Sequence, residues 1–225
     1  MPICKEVDKN FFKKWSPEMA YVLGFFTADG NMIRSKRGAY FISFEITDRE
    51  LLEQIRSALD SNHKITVRKR RDHWKAAYRL QIGSKDIFKD LILLGLSPNK
   101  SKIIRLPKVP DNYFFHFLRG YFDGDGNIVA RYFTRSNRKR KLFVFRTRFT
   151  SGNELFLEDL KSKLKELVNL RGSIFWQDKN VWVLSYGAVD SKILFSKMYD
   201  RIAGLIFLER KYKTYLRAVE IQTAV

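Results

Sequence analysis

Two aspartates hold the same place in two similar phrases. Asp29 stands in "GFFTADGNM" and Asp125, 96 positions later, in "GYFDGDGNI". In each phrase an apolar run that reads as a helix stops at a glycine, Gly30 or Gly126, the residue best suited to a left-handed turn beyond a helix C-terminus. A carboxylate at that end opposes the helix macrodipole, which favours cations there. One such Asp is an ordinary helix stop. Two at matched positions predict a bound divalent cation, and Mg2+ fits because it takes carboxylate, carbonyl and water oxygens and leaves room for phosphate oxygens.

The elements that must position these residues also occur twice. The two opening helices are apolar nearly all round, and Gly24 and Gly120, with Ala28 and Gly124 four residues on, lay small residues along one stripe. Glycine inside a helix costs about 0.5–1 kcal/mol relative to alanine, so close helix contact is the expected compensation, and the helices are expected to pack on each other about a pseudo-twofold axis. After each comes an alternating segment, "AYFISFEIT" and "KLFVFRTRFT", that reads as a half-buried strand. Helical spacing follows in "DRELLEQIRSAL" and "GNELFLEDLKSKLKEL", with Asp48 and Asn153 placed to cap. Second hairpins and a further helix complete each copy, which ends in a Lys-x-Lys, Lys100-Ser101-Lys102 and Lys211-Tyr212-Lys213. The fold class is α+β: two pseudo-symmetric αββαββα repeats, each an antiparallel sheet backed by helices on one face. "SPNKSKIIRLPKVPDNY" holds three of the five prolines and reads as a connector at about 97–112, dividing the chain into 1–106 and 107–225.

Composition limits the partners. Forty-three Lys plus Arg against 24 Asp plus Glu give a net charge of +19. Such a surplus on a foldable chain with 45% hydrophobic residues points to a polyanion, nucleic acid first. No apolar run approaches the ~20 residues of a membrane span, and the charged N-terminus does not resemble a signal peptide, so an intracellular site is expected, the cytoplasm of a prokaryote or an organelle interior. Cys4 is the single cysteine, which excludes an intrachain disulfide and a multi-cysteine zinc site. His63, His73 and His116 lack metal-ligand spacing, and ordinary structural roles are expected for them.

Strand alternation puts apolar residues toward the helices and leaves the other face to read a duplex. In the first half that face is expected to carry Arg34, Lys36, Ser43, Glu45, Arg68, Arg70, Lys75, Arg79 and Gln81. In the second it carries Arg131, Arg146, Arg148, Gln177 and Ser185. Arg reads guanine and Gln reads adenine with paired hydrogen bonds, so the mixture suits the major groove. Turn clusters, including Arg138, Lys139 and Arg140, suit phosphates.

The sequence resembles the LAGLIDADG homing endonucleases of the monomeric, two-repeat branch. The signature maps onto Val22-Leu23-Gly24-Phe25-Phe26-Thr27-Ala28-Asp29-Gly30 and Leu118-Arg119-Gly120-Tyr121-Phe122-Asp123-Gly124-Asp125-Gly126. The resemblance implies a saddle of two four-stranded sheets on double-stranded DNA, with the signature helices at the interface between halves. It implies Asp29 and Asp125 as ligands of a catalytic Mg2+, with Mn2+ substituting and Ca2+ supporting binding without cleavage. Lys100 and Lys211 resemble the basic residues of the family's cleavage pockets and carry over as catalytic. Asp123 faces Thr27 in the other copy, so that slot reads as structural. At the strand ends Thr47 or Asp48, and Ser151 or Gly152, carry no assigned role. The implied function is a site-specific endonuclease, intron-encoded, cutting both strands of a long target. The alternatives are an intron maturase that assists its host RNA and a non-cleaving DNA-binding regulator.

Overall fold

The computed structural model describes residues 5–68, 76–98, 103–134, 141–178 and 181–223. Helix α1 (Pro17–Asp29) starts where the Ser16 hydroxyl accepts from the Met19 amide at 3.1 Å, with Pro17 at its first position, where its missing N–H costs nothing. It is followed by β1 (Asn31–Arg34), β2 (Tyr40–Ile46), α2 (Arg49–Ala58), β3 (Ile65–Arg68), β4 (Ala77–Gly83) and α3 (Lys85–Leu93). The second half repeats the order in α4 (Asp111–Asp125), β5 (Gly126–Thr134), β6 (Lys141–Ser151), α5 (Glu154–Val168), β7 (Ser173–Asp178), β8 (Val181–Tyr186) and α6 (Ala188–Met198). It then adds α7 (Glu209–Thr223), a helix not anticipated from the sequence. Tyr215 of α7 stacks on Phe195 of α6 at 3.9 Å, which packs the added helix against the second half.

Each half holds a four-stranded antiparallel sheet, ordered β1-β2-β4-β3 and β5-β6-β8-β7. Cross-strand pairs Ile42↔Ile82 and Phe44↔Leu80 set the inner face of the first, packed under Leu52 and Ile55 of α2 and Ile87 and Leu91 of α3. Phe149↔Leu184 does the same in the second, beneath Phe156, Leu160 and Leu194. Each fully buried side chain of this kind contributes about 1.5–3 kcal/mol. A period of two in the sequence therefore decides which face is core. Among the described residues no helix is long and apolar enough to cross a membrane.

Helices α1 and α4 lie between the sheets and are buried along most of their length. The glycines explain how. A Cβ on Gly24 would stand 2.0 Å from the Phe117 carbonyl oxygen, and one on Gly120 would stand 2.0 Å from that of Tyr21. Backbone meets backbone here, reciprocally, as the small-residue stripe predicts.

Of the two expected caps, Asn153 accepts from the Leu155 amide at 3.2 Å, but Asp48 makes no cap bond. Its carboxylate accepts from Arg210 Nε of α7 instead, at 3.0 and 3.1 Å, a charge-assisted bond between the halves.

Candidate catalytic centre and nucleic-acid interface

Asp29 and Asp125 are the last residues of α1 and α4, and the packed glycine stripe brings those ends together. A Cβ on Gly124 would lie 2.4 Å from the Ala28 Cβ and 3.5 Å from Asp29 Oδ2. Both carboxylates also act on the same two groups, helping to raise the Tyr121 pKa, which burial raises most, and opposing the fall that burial imposes on Lys211. The expected left-handed turns are not found: Gly30 has φ −75° and Gly126 φ −91°, both extended. Glycine is required there for space, because a Cβ would fall 2.3 Å from the Phe26 ring or 2.2 Å from the Phe122 ring. Each aromatic thus folds under its own helix end and turns the chain directly into a strand.

Two carboxylates at the negative ends of two helix macrodipoles make a hard, negative donor pair of the kind a divalent cation neutralises. Among the described residues no group of three or more His, Cys, Asp or Glu gathers, so such an ion would complete its shell with oxygens from outside the protein. The carboxylate pair fits a hard divalent cation.

Lys211 has a different place from the one expected. Its Nζ donates toward the carbonyls of Phe122 (2.6 Å), Asp123 (2.8 Å), Gly124 (3.2 Å) and Gly126 (2.6 Å). An ammonium has three protons, and these four oxygens occupy them. Lys211 therefore caps α4 at the point where Asp125 projects, rather than reaching outward to a phosphate. Burial pushes its pKa down to about 8, against the pull of the Asp123, Asp29 and Asp125 carboxylates. Lys100, its counterpart, lies outside the described residues.

Beneath the centre runs a buried polar network. Asp123 Oδ2 accepts from the Tyr21 hydroxyl and from the Leu208 amide, both at 2.7 Å. Burial raises its carboxyl to about pH 6, opposed by the Tyr21 hydrogen bond and the Lys211 charge. Thr27, in the same slot of the first copy, merely donates to the Leu23 carbonyl. Asp123 is thus the structural residue its mismatch with Thr27 implies. Arg119, 1% exposed, donates to the carbonyls of Ile206 (3.0 Å) and Met198 (2.7 Å) and lies over the Tyr21 ring. Together Arg119 and Asp123 fasten the 198–208 segment to α4, which sets where Lys211 begins. The sequence signal for Arg119 was a lone cation in an otherwise apolar helix. Tyr121 and Thr150 add a second tie, Tyr121 Oη to the Thr150 carbonyl and Thr150 Oγ1 to the Asp125 carbonyl, each 2.7 Å.

The outer sheet faces follow from register. Ser43↔Gln81 and Glu45↔Arg79 share the face opposite the first core, with Arg68 3.8 Å from Glu45. Arg34 does not join them. It pairs with Tyr40 on the parity of Met32↔Ile42, the core side, and its guanidinium lies over the Tyr40 ring at 5.4 Å. Lys36 sits exposed in the β1–β2 turn. In the second sheet Val129↔Arg146, Arg131↔Val144 and Arg148↔Ser185 face outward, while Gln177 occupies a bulge beside Trp176. Arg70, Lys75, Arg138, Lys139 and Arg140 lie outside the described residues, as do Cys4 and His73. Burial and the neighbouring Arg146 and Arg131 lower the Arg148 pKa, a crowding of cations that a polyanion relieves. Arg79 Nε, Arg148 Nε and Ser185 Oγ are buried on these faces without a hydrogen-bond partner.

Paired helices ending in acids, set between two sheets with cationic outer faces, define the two-repeat LAGLIDADG fold. Residues 16–92 match the family model described as a LAGLIDADG-like domain. Over nearly the whole chain the structure is similar to the homing endonuclease I-WcaI bound to its DNA recognition sequence, with TM-score 0.63, 20% identity, and 90% and 89% of the two chains covered. It is also similar to the LAGLIDADG meganuclease I-AabMI bound to uncleaved DNA, with TM-score 0.64, 15% identity, and 93% and 91% covered. Among curated proteins, an uncharacterized protein of Methanocaldococcus jannaschii is 25% identical over 179 residues, 76% of this chain and 61% of that one. The replication factor C small subunit of the same organism is 26% identical over 130 residues, 57% of this chain and 7% of that one. The chain thus spans less than two thirds of either curated relative's length.

Proposed function

We propose that the protein is a site-specific DNA endonuclease that acts as a single chain on both strands of a long duplex, in the manner of an intron-homing enzyme. The observation that carries this reading is the convergence of Asp29 and Asp125 at the ends of two interlocked helices, midway between two outward-facing arginine-bearing sheets. Asp29 and Asp125 would hold Mg2+, which when bound activates water and neutralises charge building on the attacked phosphate. The chain's own residues do the positioning. Arg79, Arg146 and Arg148 bind the duplex and set its register, Tyr121 and Thr150 fix the end of α4, and Lys211 bonds the carbonyls of Phe122, Asp123, Gly124 and Gly126 around that end so that Asp125 projects in one direction. Lys211 is in this account a positioning residue.

The test is cleavage of a target selected from a randomised duplex library, with Mg2+ for cutting and Ca2+ for binding. Asp29→Asn and Asp125→Asn are each expected to keep binding and lose the double-strand break. Full double-strand cleavage by either variant would show that the carboxylates do not serve the chemistry.

A further inference from the structure

The two outer faces differ at their far ends. Counting outward from the aspartates, the first hairpin offers the rungs Asn31↔Ser43 and Ile33↔Phe41, then closes where the Ser35 amide donates to the Ala39 carbonyl at 2.8 Å. The second offers Asn127↔Arg148, Val129↔Arg146 and Arg131↔Val144, and then one rung more, Phe133↔Leu142. That last rung has no counterpart in the first half. Both of its side chains are large, apolar and substantially exposed, Phe133 by 47% and Leu142 by 53%, in a chain of net charge +19. With Val129, Val144 and the arginines they line one shallow groove on that face.

An exposed apolar pair at the end of a cationic strip marks a contact surface. The strip supplies the scale. Alternate residues on an antiparallel strand advance about 6.8 Å, the rise of two base pairs in B-DNA at about 3.4 Å each. Successive rungs therefore keep step with successive pairs of bases in a major groove. Rungs with Arg have donors for guanine, whereas a rung of Phe and Leu has neither donor nor acceptor. In the major groove such a rung distinguishes one base alone, thymine, through its C5-methyl group.

On the proposal that this face reads duplex DNA, we infer that Phe133 and Leu142 form a thymine-methyl contact at the outer end of the second half-site. The target is accordingly asymmetric: the half read by β5–β6 extends further from the cleavage centre and ends in a thymine-dependent position. Val129 and Val144, alternating with Arg146 and Arg131, place further methyl contacts among guanine contacts nearer the centre.

The experiment uses the whole protein and the duplex it selects from a randomised library in Ca2+. At the distance of Phe133 and Leu142 from the centre, beyond the last rung of the first hairpin, thymine is expected to be enriched in one half-site only. Replacing those thymines with deoxyuridine removes the methyl group and nothing else, and should weaken binding about fourfold per methyl. The same replacement in the other half-site, at positions as far from the centre and so beyond the reach of Ile33 and Phe41, should leave affinity unchanged. Phe133→Ser with Leu142→Ser, both at exposed positions, should abolish the thymine preference and the deoxyuridine penalty together. A selected site without outer thymines, deoxyuridine duplexes that bind equally well, or a penalty that persists in the double variant would each overturn the inference while leaving DNA recognition standing. Failure to enrich any sequence would overturn the DNA reading itself, and this inference with it.

Discussion

Replacing Gly120 with Ala isolates the contact on which the centre depends. In a helix free of neighbours, Gly→Ala stabilises by about 0.8–1.0 kcal/mol through backbone entropy. Here the added methyl would lie 2.0 Å from the Tyr21 carbonyl oxygen and 2.8 Å from the Phe25 amide nitrogen. Ordinary non-bonded contact is about 3.5 Å, so the helices would have to part by about 1.5 Å. The opposing atoms are backbone and cannot rotate away. Overpacking of a well-filled core costs about 1–3 kcal/mol and sometimes more. With immovable partners the upper end applies, and the expected net loss is about 3 kcal/mol, or roughly 6–12 °C in Tm for a chain of this size. Urea denaturation monitored by tryptophan fluorescence measures it. Gly187→Ala is the control, since nothing lies within 4 Å of its Cβ and its φ of −72° suits alanine, so the change should stay within about 0.5 kcal/mol. Gly24→Ala strikes the same interface from the other side, and the double variant should cost less than the sum of the singles because one parting of the helices serves both. If Gly120→Ala raised the urea midpoint, the interlocked-helix account of the site would be wrong.

The buried ionisable groups give a pH signature, read by urea denaturation with chelator present. Asp123 has a folded pKa of about 6 against an unfolded 3.8, so the native state binds its proton more tightly; stability should fall by about 3 kcal/mol as pH rises from about 4 to 6, and Asp123→Asn should flatten that slope. Lys211, lowered to about 8 from 10.5, works the other way: the unfolded state binds the extra proton, so stability should rise between about pH 8 and 10.5, and a Lys211→Met variant should lack this limb. Lys211→Met should also cost about 3 kcal/mol at neutral pH, because it strips the cation from four carbonyls and from the Asp123 carboxylate. For recognition, Arg34→Ala should leave duplex affinity unchanged, whereas Arg79→Ala and Arg148→Ala should each weaken it by about 1–3 kcal/mol at fixed salt, measured by fluorescence anisotropy. Equal losses at all three positions would contradict the assignment of faces by register.

Much of this architecture was legible because the signals are periodic and local. Alternation in "YFISFEI" and "KLFVFRTRFT" marks strands and their core faces, Asn153 marks a helix start, and the small residues at 24, 28, 120 and 124 mark a helix contact. Other features fail as local rules because a distant partner outbids the neighbour. Asp48 stands where a cap belongs, yet Arg210, 162 positions away, holds its carboxylate. Gly30 and Gly126 look like left-handed helix stops and are instead clearances for Phe26 and Phe122. Arg34 reads as part of a cationic face until the register with Tyr40 puts it on the other side.

By itself the sequence determined that two similar halves exist, that each ends its first helix in an Asp and a Gly, and that the surplus charge lies on folded surfaces. It could do so because composition and spacing are properties of the chain alone. Tertiary structure decided that Asp29 and Asp125 stand together, that Lys211 spends its protons on the end of α4, and that the second outer face ends on an apolar rung farther from the centre than any in the first. These depend on backbone approach, strand register and burial, which no residue carries until the chain has folded against itself.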